Sequence, residues 1–211
     1  MSGAFITVEG GEGVGKSTCM ATIEAFINAA GFQTVASREP GGTALGEQIR
    51  EWILNGQHGA LTAEVETLLM FAARAEHLEQ KIRPALAAGQ WVICDRFTDA
   101  TFAYQGAGRG APSDFLINLT DAIQGESKPD LTLLLDAPVG VGLERISHRR
   151  HDHFEREGDE FFSRVRNAYL EIAAREPQRV KVIDATTNLE TVQQQIETRL
   201  AHFLAQYEAG Q

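Results

Sequence analysis

A doubly wound α/β fold, with a five-stranded parallel sheet between layers of helix, is predicted by three features of the chain. Five short apolar runs recur along it, helical patterns fill the intervals, and the first run passes through a glycine-rich loop straight into a helix. At 211 residues, 43% of them hydrophobic, the chain has the length and apolar content for one domain, residues 1–211.

The first run, "AFITVE" (4–9), is apolar and partly β-branched, as suits a strand buried on both faces of a parallel sheet. A helical pattern covers 16–30 before the second run, "QTVASR" (33–38). Leu45, Ile49, Trp52 and Ile53 then share one face at helical spacing. A long helical segment extends from about Thr62 to Ala88, interrupted by Pro84. The third run, "WVICDR" (91–96), precedes a helix near 112–124, and the fourth, "LTLLLD" (131–136), precedes one near 138–149. Helices at 158–175 and 188–208 flank the fifth run, "VKVID" (180–184). Right-handed crossovers bring the carboxyl ends of these strands to one edge, where ligands of such sheets gather. The residues delivered there are charged: Glu9, Arg38, Asp95 with Arg96, Asp136 and Asp184. The run "ERISHRRHDHFEREGDE" (144–160) is a solvated helix face or, from its place after the fourth strand, a lid.

Acidic residues outnumber Lys and Arg by 29 to 19, a net charge of −10. No general attraction to polymeric nucleic acid or to a membrane surface is expected, so an anionic ligand must be held by local groups. No apolar stretch reaches the roughly 18 residues of a membrane span, and the start of the chain lacks a signal-peptide pattern. Cys19 and Cys94, on a helix and a strand, form no disulfide framework, which points to a reducing, cytoplasmic setting.

The segment "GGEGVGKS" (10–17) fits G-x-x-x-x-G-K-[ST] with a strand before it and a helix after it, the P-loop context. Its glycines turn backbone N–H groups inward, and the helix N-terminus adds positive potential. Gly10, Gly11, Glu12, Gly13, Val14, Gly15, Lys16, Ser17 and Thr18 are therefore the expected ATP-binding residues. Lys16 is suited to the β- and γ-phosphates and Ser17 to Mg²⁺. No N-K-x-D or L-S-G-G-Q segment is present, which argues against a switch GTPase and an ABC-type ATPase. Glu12 is anomalous, a carboxylate inside an anion-binding loop.

Three other segments bear on the acceptor: "REPGGT" (38–43), "LLMFAARAEH" (68–77) and "CDRFTDATFAYQGAGRG" (94–110). They bring Arg38, Arg74, Arg96 and Arg109 toward the same sheet edge. Each arginine alone is more often a surface ion pair; together, in an acidic chain, their planar forks suit a phosphate or a carbonyl edge. With the P-loop, and with "PDLTLLLDAPVGVGLER" (129–145) and "VIDAT" (182–186), these segments resemble the thymidylate kinases over nearly the whole chain.

That resemblance implies a P-loop NTPase fold and the ATP- and Mg²⁺-dependent phosphorylation of dTMP to dTDP, a step in dTTP synthesis. It implies that Arg96 holds the acceptor phosphate with Arg38 nearby, that Pro40 shapes the turn beneath it, and that the Glu39–Pro40 bond is cis. Arg74 is expected at thymine O4, Thr101 at N3, Tyr104 against the sugar 2′ position with Gln105 alongside, and Glu12 at the 3′-hydroxyl. The ring-stacking slot falls on Met70 with Phe71 beside it; either could reach the base, and Phe71 is the aromatic candidate of the two. Asp95 is expected to assist Ser17 at the metal through water. The loop has no arginine, so Arg149 and Arg150 of the lid are expected at the transferred phosphoryl group, with Arg145 against adenine. His153 and Ala100 stand where the family usually carries arginine and serine. A homodimer is implied, built on the second, the long and the 112–124 helices.

Two other readings stay open. A deoxynucleoside kinase would need a carboxylate base for a neutral hydroxyl, for which Glu12 is available, but no arginine set aside for an acceptor phosphate. A regulatory nucleotide-binding module would explain Ala100, Met70 and His153, against the presence of Lys16, Ser17, Asp95 and Arg96.

Overall fold

In the computed structural model, which describes residues 3–55, 61–146 and 157–209, each of the five apolar runs forms a strand. They are β1 (Phe5–Gly10), β2 (Thr34–Arg38), β3 (Trp91–Asp95), β4 (Leu131–Asp136) and β5 (Val180–Asp184). Every pairing is parallel, in the order β2-β3-β1-β4-β5. The chain leaves β1 toward β2 and β3 on one side, then crosses to β4 and β5 on the other. A crevice is thereby created at the carboxyl end of β1.

The helices are α1 (Lys16–Ala29), α2 (Ala44–Asn55), α3 (Ala63–His77), α4 (Arg83–Ala87), α5 (Thr98–Thr101), α6 (Ser113–Ile123), α7 (Val139–Ile146), α8 (Asp159–Arg175) and α9 (Leu189–Ala209). On one face of the sheet, Ile6, Val8, Ile93, Leu133 and Leu135 pack against Cys19, Ile23 and Ile27 of α1 and Val192, Ile196 and Leu200 of α9. On the other face, Phe5, Val92 and Cys94 meet Leu78 and Ile82, and Leu134 meets Val165 and Ile172 of α8. Alternate residues of each strand thus feed separate cores, which is why the strands read as continuous apolar runs.

The long helical segment is continuous in direction but not in hydrogen bonding. Its π-helical turn, Leu78–Ile82, joins α3 to α4, and Pro84 lies in the first turn of α4. Placing the proline just after a π turn spares the helix an interior proline. Two local patterns resolve differently from expectation. Of the apolar face expected on α2, only Ile49 and Ile53 are buried, while Leu45 and Trp52 are 43% and 46% exposed. Residues 98–108, expected only as a segment after the third strand, are helical: α5 runs into a π-helical stretch, Phe102–Gly108, ending where Gly106, Gly108 and Gly110 cluster.

The central strands carry the core, so truncation there should cost heavily. Leu133→Ala, at a fully buried position between β1 and β5, is expected to lower the unfolding free energy by about 2–5 kcal/mol in urea titrations.

Candidate active site

The turn after β1 is defined by backbone geometry that only glycine supplies cheaply. Gly10 has φ 138°, and a Cβ there would collide with the Leu135 carbonyl oxygen. Gly13, at φ 68°, lies so close to the Gly142 carbonyl of α7 that a Cβ would overlap it, so loop and α7 are in backbone contact. Gly15 (φ 93°) caps α1, and Lys16 opens it. Nζ of Lys16 donates to the carbonyls of Gly10 (3.2 Å) and Gly11 (2.7 Å). Burial, reinforced by the Arg96 charge, lowers the Lys16 pKa from its usual value.

Arg96, at the carboxyl end of β3, is the described non-glycine residue with positive φ, 68°. Its N–H continues the ladder to the Val8 carbonyl (3.0 Å), and the next N–H, of Phe97, donates to Glu9 Oε1 (2.7 Å). These two bonds hold the left-handed residue, a conformation that costs about 1–3 kcal/mol where unsupported. The kink sends the side chain across the end of β1. Its guanidinium donates to the Gly10 carbonyl (3.0 Å), to Glu12 Oε1 (2.6 Å) and to the Tyr169 hydroxyl (3.3 Å), and lies over the Tyr104 ring at 4.6 Å. The Tyr104 hydroxyl donates to the same Glu12 oxygen (2.8 Å). Glu12 therefore serves as a counter-charge of Arg96.

Beside this pair opens a cleft of about 500 Å³, lined by Glu12, Glu39, Pro40, Arg50, Leu54, Met70, Arg96, Ala100, Tyr104 and Gln105. The Glu39–Pro40 bond is cis. Of the residues expected at dTMP, Arg38, Phe71, Arg74 and Thr101 are not among those lining this cleft. Phe71 does not line the cleft; one helical step of about 100° turns it onto Leu116 and Ala111 and against the Arg74 guanidinium (4.8 Å), and Met70 faces the cleft instead. Arg38 is half exposed and bonded to Glu47 Oε2 (2.8 Å), away from the cleft lining. The second cleft cation is Arg50 of α2, held by the Pro40 carbonyl (3.1 Å). Its pKa is lowered by burial and by the charges of Arg38 and Arg96.

At the inner end of the cleft, Gln105 Nε2 donates to buried Glu66 (2.7 Å), while its Oε1 has no hydrogen-bond partner in the described structure. Arg74 is fully buried and donates to Glu39 (2.8 Å) and to Thr101 Oγ1 (2.9 Å). Arg109 serves elsewhere, in an ion pair with Glu157 (2.7 Å) and facing Glu66 (3.6 Å).

Ser17 and Asp95 line a neighbouring open cleft with Arg38, and Asp95 Oδ1 is buried without a hydrogen-bond partner. Oxygen donors of this kind suit a hard divalent cation that keeps several waters. Arg145 of α7 donates to the Ala185 carbonyl (3.1 Å), which places it against the turn after β5. Arg149, Arg150 and His153 lie outside the described residues. Thr18 is on the exposed first turn of α1, and Val14 is buried beneath the loop.

Four residues that the sequence alone does not assign to the site complete it: Arg50, Glu9, Glu39 and His77. For Glu9, a charged strand end, its place immediately before the loop is the available signal. Fully buried, it accepts from Phe97 N and from the Tyr169 hydroxyl (2.8 Å). Burial, with the nearby Asp99 charge, raises its pKa from 4.5 to about 7.

The thymidylate kinase family profile matches residues 8–196. The chain is 52% identical over 197 residues to a thymidylate kinase of Alcanivorax borkumensis, covering 93% of this chain and 95% of that one. It is 53% identical over 204 residues to a thymidylate kinase of Methylococcus capsulatus, covering 96% and 97%. The crystal structure of thymidylate kinase from Ehrlichia chaffeensis superposes with a TM-score of 0.76 at 30% identity, covering 95% of this chain and 99% of that one.

Because the folded pKa of Glu9 is raised, its favourable contribution is complete below the unfolded value near 4.5 and is lost as pH rises through about 7. Between pH 5 and 8 the unfolding free energy should fall in the unaltered protein relative to Glu9→Gln, by about 1–3 kcal/mol. Parallel stability curves from urea titrations at these pH values would contradict the assignment.

Proposed function

The chain belongs to the thymidylate kinase family, phosphotransferases that convert dTMP to dTDP with ATP, and we propose that the loop and the Arg96 cleft are where it does so. The observation that carries this reading is the placement of two arginines, Arg96 and Arg50, in one cleft directly beside the P-loop. A nucleoside acceptor has no phosphate for them; a nucleoside monophosphate does. This favours dTMP over a neutral deoxynucleoside as acceptor, and the intact loop and Arg96 geometry disfavour a non-catalytic binding module.

The acceptor phosphate has a second pKa of about 6, so its attacking oxygen is largely ionised at neutral pH and needs no general base. Catalysis is positioning plus neutralisation of two polyanions. In the proposed arrangement Arg96 and Arg50 fix the acceptor phosphate, and Lys16 exchanges its loop carbonyls for donor phosphate oxygens. Tyr104 and Glu12 face the deoxyribose, with Glu12 as acceptor for its 3′-hydroxyl. Pro40, Leu54 and Met70 supply the apolar walls of the base pocket, with Arg74, Thr101 and Gln105 at its polar end. Arg38 is left to the rim.

Ser17 and Asp95 are the residues proposed for Mg²⁺, which when bound neutralises and orients the donor phosphates. Residues 144–160 are proposed as a lid of the same domain, with Arg149 or Arg150 reaching the transferred group and Arg145 beside adenine. A homodimer is supported by large exposed apolar side chains on adjoining helices: Leu45 and Trp52 of α2, Val65 and Leu68 of α3, and Ile117 of α6. A cytoplasmic location is supported by the two cysteines, both buried free thiols whose pKa values burial raises, to about 11 for Cys19. The net charge of −10 disfavours a polymeric nucleic acid as partner.

In a coupled assay with ATP and Mg²⁺, ADP formation should require dTMP and should not be replaced by thymidine. Arg50→Met should raise KM for dTMP by roughly 10–100-fold while KM for ATP changes by less than about twofold. Arg149→Ala or Arg150→Ala should lower kcat by about 10²-fold or more with little change in dTMP affinity; unchanged turnover in both would remove the lid arginines from the mechanism.

A further inference from the structure

From Glu39 in the cleft wall a buried chain of polar groups runs inward through Arg74 and His77 to Ser37. Arg74 and His77 are fully buried and Glu39 is 2% exposed. Arg74 Nε donates to Glu39 Oε2 at 2.8 Å, His77 Nδ1 stands 2.9 Å from Glu39 Oε1, and His77 Nε2 stands 2.7 Å from Ser37 Oγ. One set of proton positions satisfies every group. The Ser37 hydroxyl donates to Nε2, Nδ1–H donates to one oxygen of Glu39, and Arg74 donates to the other. The turn that follows is packed onto this chain. A Cβ at Gly42 (φ 81°) would fall 2.6 Å from Ser37 Oγ and 2.7 Å from His77 Nε2.

The consequence for Arg74 is specific. Its guanidinium is flanked by the rings of Phe71 (4.8 Å) and Phe97 (4.9 Å), which fix its plane. Glu39 takes Nε and Thr101 takes NH2 (2.9 Å). NH1 is buried with no hydrogen-bond partner in the described structure. A buried donor left in this state is strongly biased toward a ligand that can accept from it. Because guanidinium has no acceptor capacity, a carbonyl satisfies it and an amino group does not.

We propose that Glu39, held by His77, is a positioning residue that determines base selectivity: it turns Arg74 so that NH1 alone remains for the nucleobase and admits a 4-carbonyl in preference to a 4-amino group. This rests on the reading above in which Arg74 meets the base. Glu39 is also the counter-charge of a buried cation, so a structural role has to be separated from a selective one. The base series allows this. dTMP and dUMP both carry a carbonyl at position 4, whereas dCMP carries an amino group.

Dissociation constants of dTMP, dUMP and dCMP are to be measured by calorimetry for the unaltered protein, Glu39→Gln, His77→Phe, His77→Asn and Arg74→Met. Glu39→Gln replaces one accepting oxygen by a donor and should reduce the preference for dTMP over dCMP by roughly tenfold or more. The dTMP-to-dUMP ratio and the KM for ATP should stay within about twofold. His77→Phe should shift the dCMP ratio in the same direction, and His77→Asn, whose amide restores a donor near Nδ1, should recover most of it. If Glu39→Gln does not fold, the two His77 variants decide by the same ratio. If Arg74→Met abolishes the preference and the Glu39 and His77 variants keep it, the inference is wrong and the placement of Arg74 stands. If Arg74→Met also keeps it, the placement itself is wrong. Equal losses for dUMP and dCMP would show a general structural defect and would likewise overturn the inference.

Discussion

The contact between Arg96 and Glu12 joins the two halves of the site. Arg96 comes from the end of β3 and Glu12 from the loop after β1, and their 2.6 Å ion pair crosses the crevice that strand order creates. Without Glu12, a mostly buried guanidinium would sit beside Lys16 with less counter-charge; without Arg96, a carboxylate in a phosphate loop would lose its 2.6 Å cationic partner. The pair therefore ties the loop after β1 to the end of β3. Tyr104 and Tyr169 brace it from two further elements, the helical stretch after β3 and α8.

The same economy of charge runs through the buried parts of the molecule. The chain carries a net charge of −10, yet its interior cations converge on the carboxyl edge of the sheet, each against a carboxylate or carbonyl: Arg96 with Glu12, Arg74 with Glu39, Lys16 with the loop carbonyls. Such pairs add little net stability compared with apolar packing. Their value is orientation. A guanidinium whose other nitrogens are engaged presents its remaining one in a defined direction, whereas a flexible arginine fixes none of its donors.

The strands and the loop are legible in the sequence because they depend on local pattern: a two-faced buried strand must be apolar throughout, and a phosphate loop must be glycine-rich before a helix. What is not legible depends on rotation about a helix or on contacts distant in sequence. Met70 and Phe71 differ by one helical step, and apolarity alone does not tell which faces the cleft. Arg50 reads as one charged residue of an amphipathic helix; only the docking of α2 over Pro40 brings it beside Arg96. The helix at 98–108 is hidden because its glycines and π-helical stretch weaken the usual periodicity. Glu39 and His77 are 38 residues apart, and nothing in either segment announces their contact. The roles expected of Arg74, Thr101 and Tyr104 come from the resemblance to a known family; no periodicity could suggest them.

If the loop serves donor and acceptor through one ion pair, then Glu12 and Arg96 must act as a unit. The direct measurement is a double-mutant cycle of Glu12→Gln and Arg96→Lys on kcat/KM for dTMP, with KM for ATP followed in all four proteins. The account predicts that the double variant is little worse than the poorer single one, a coupling of about 1–3 kcal/mol. It also predicts a smaller change in KM for ATP than for dTMP. Additive losses, or losses confined to ATP, would contradict it.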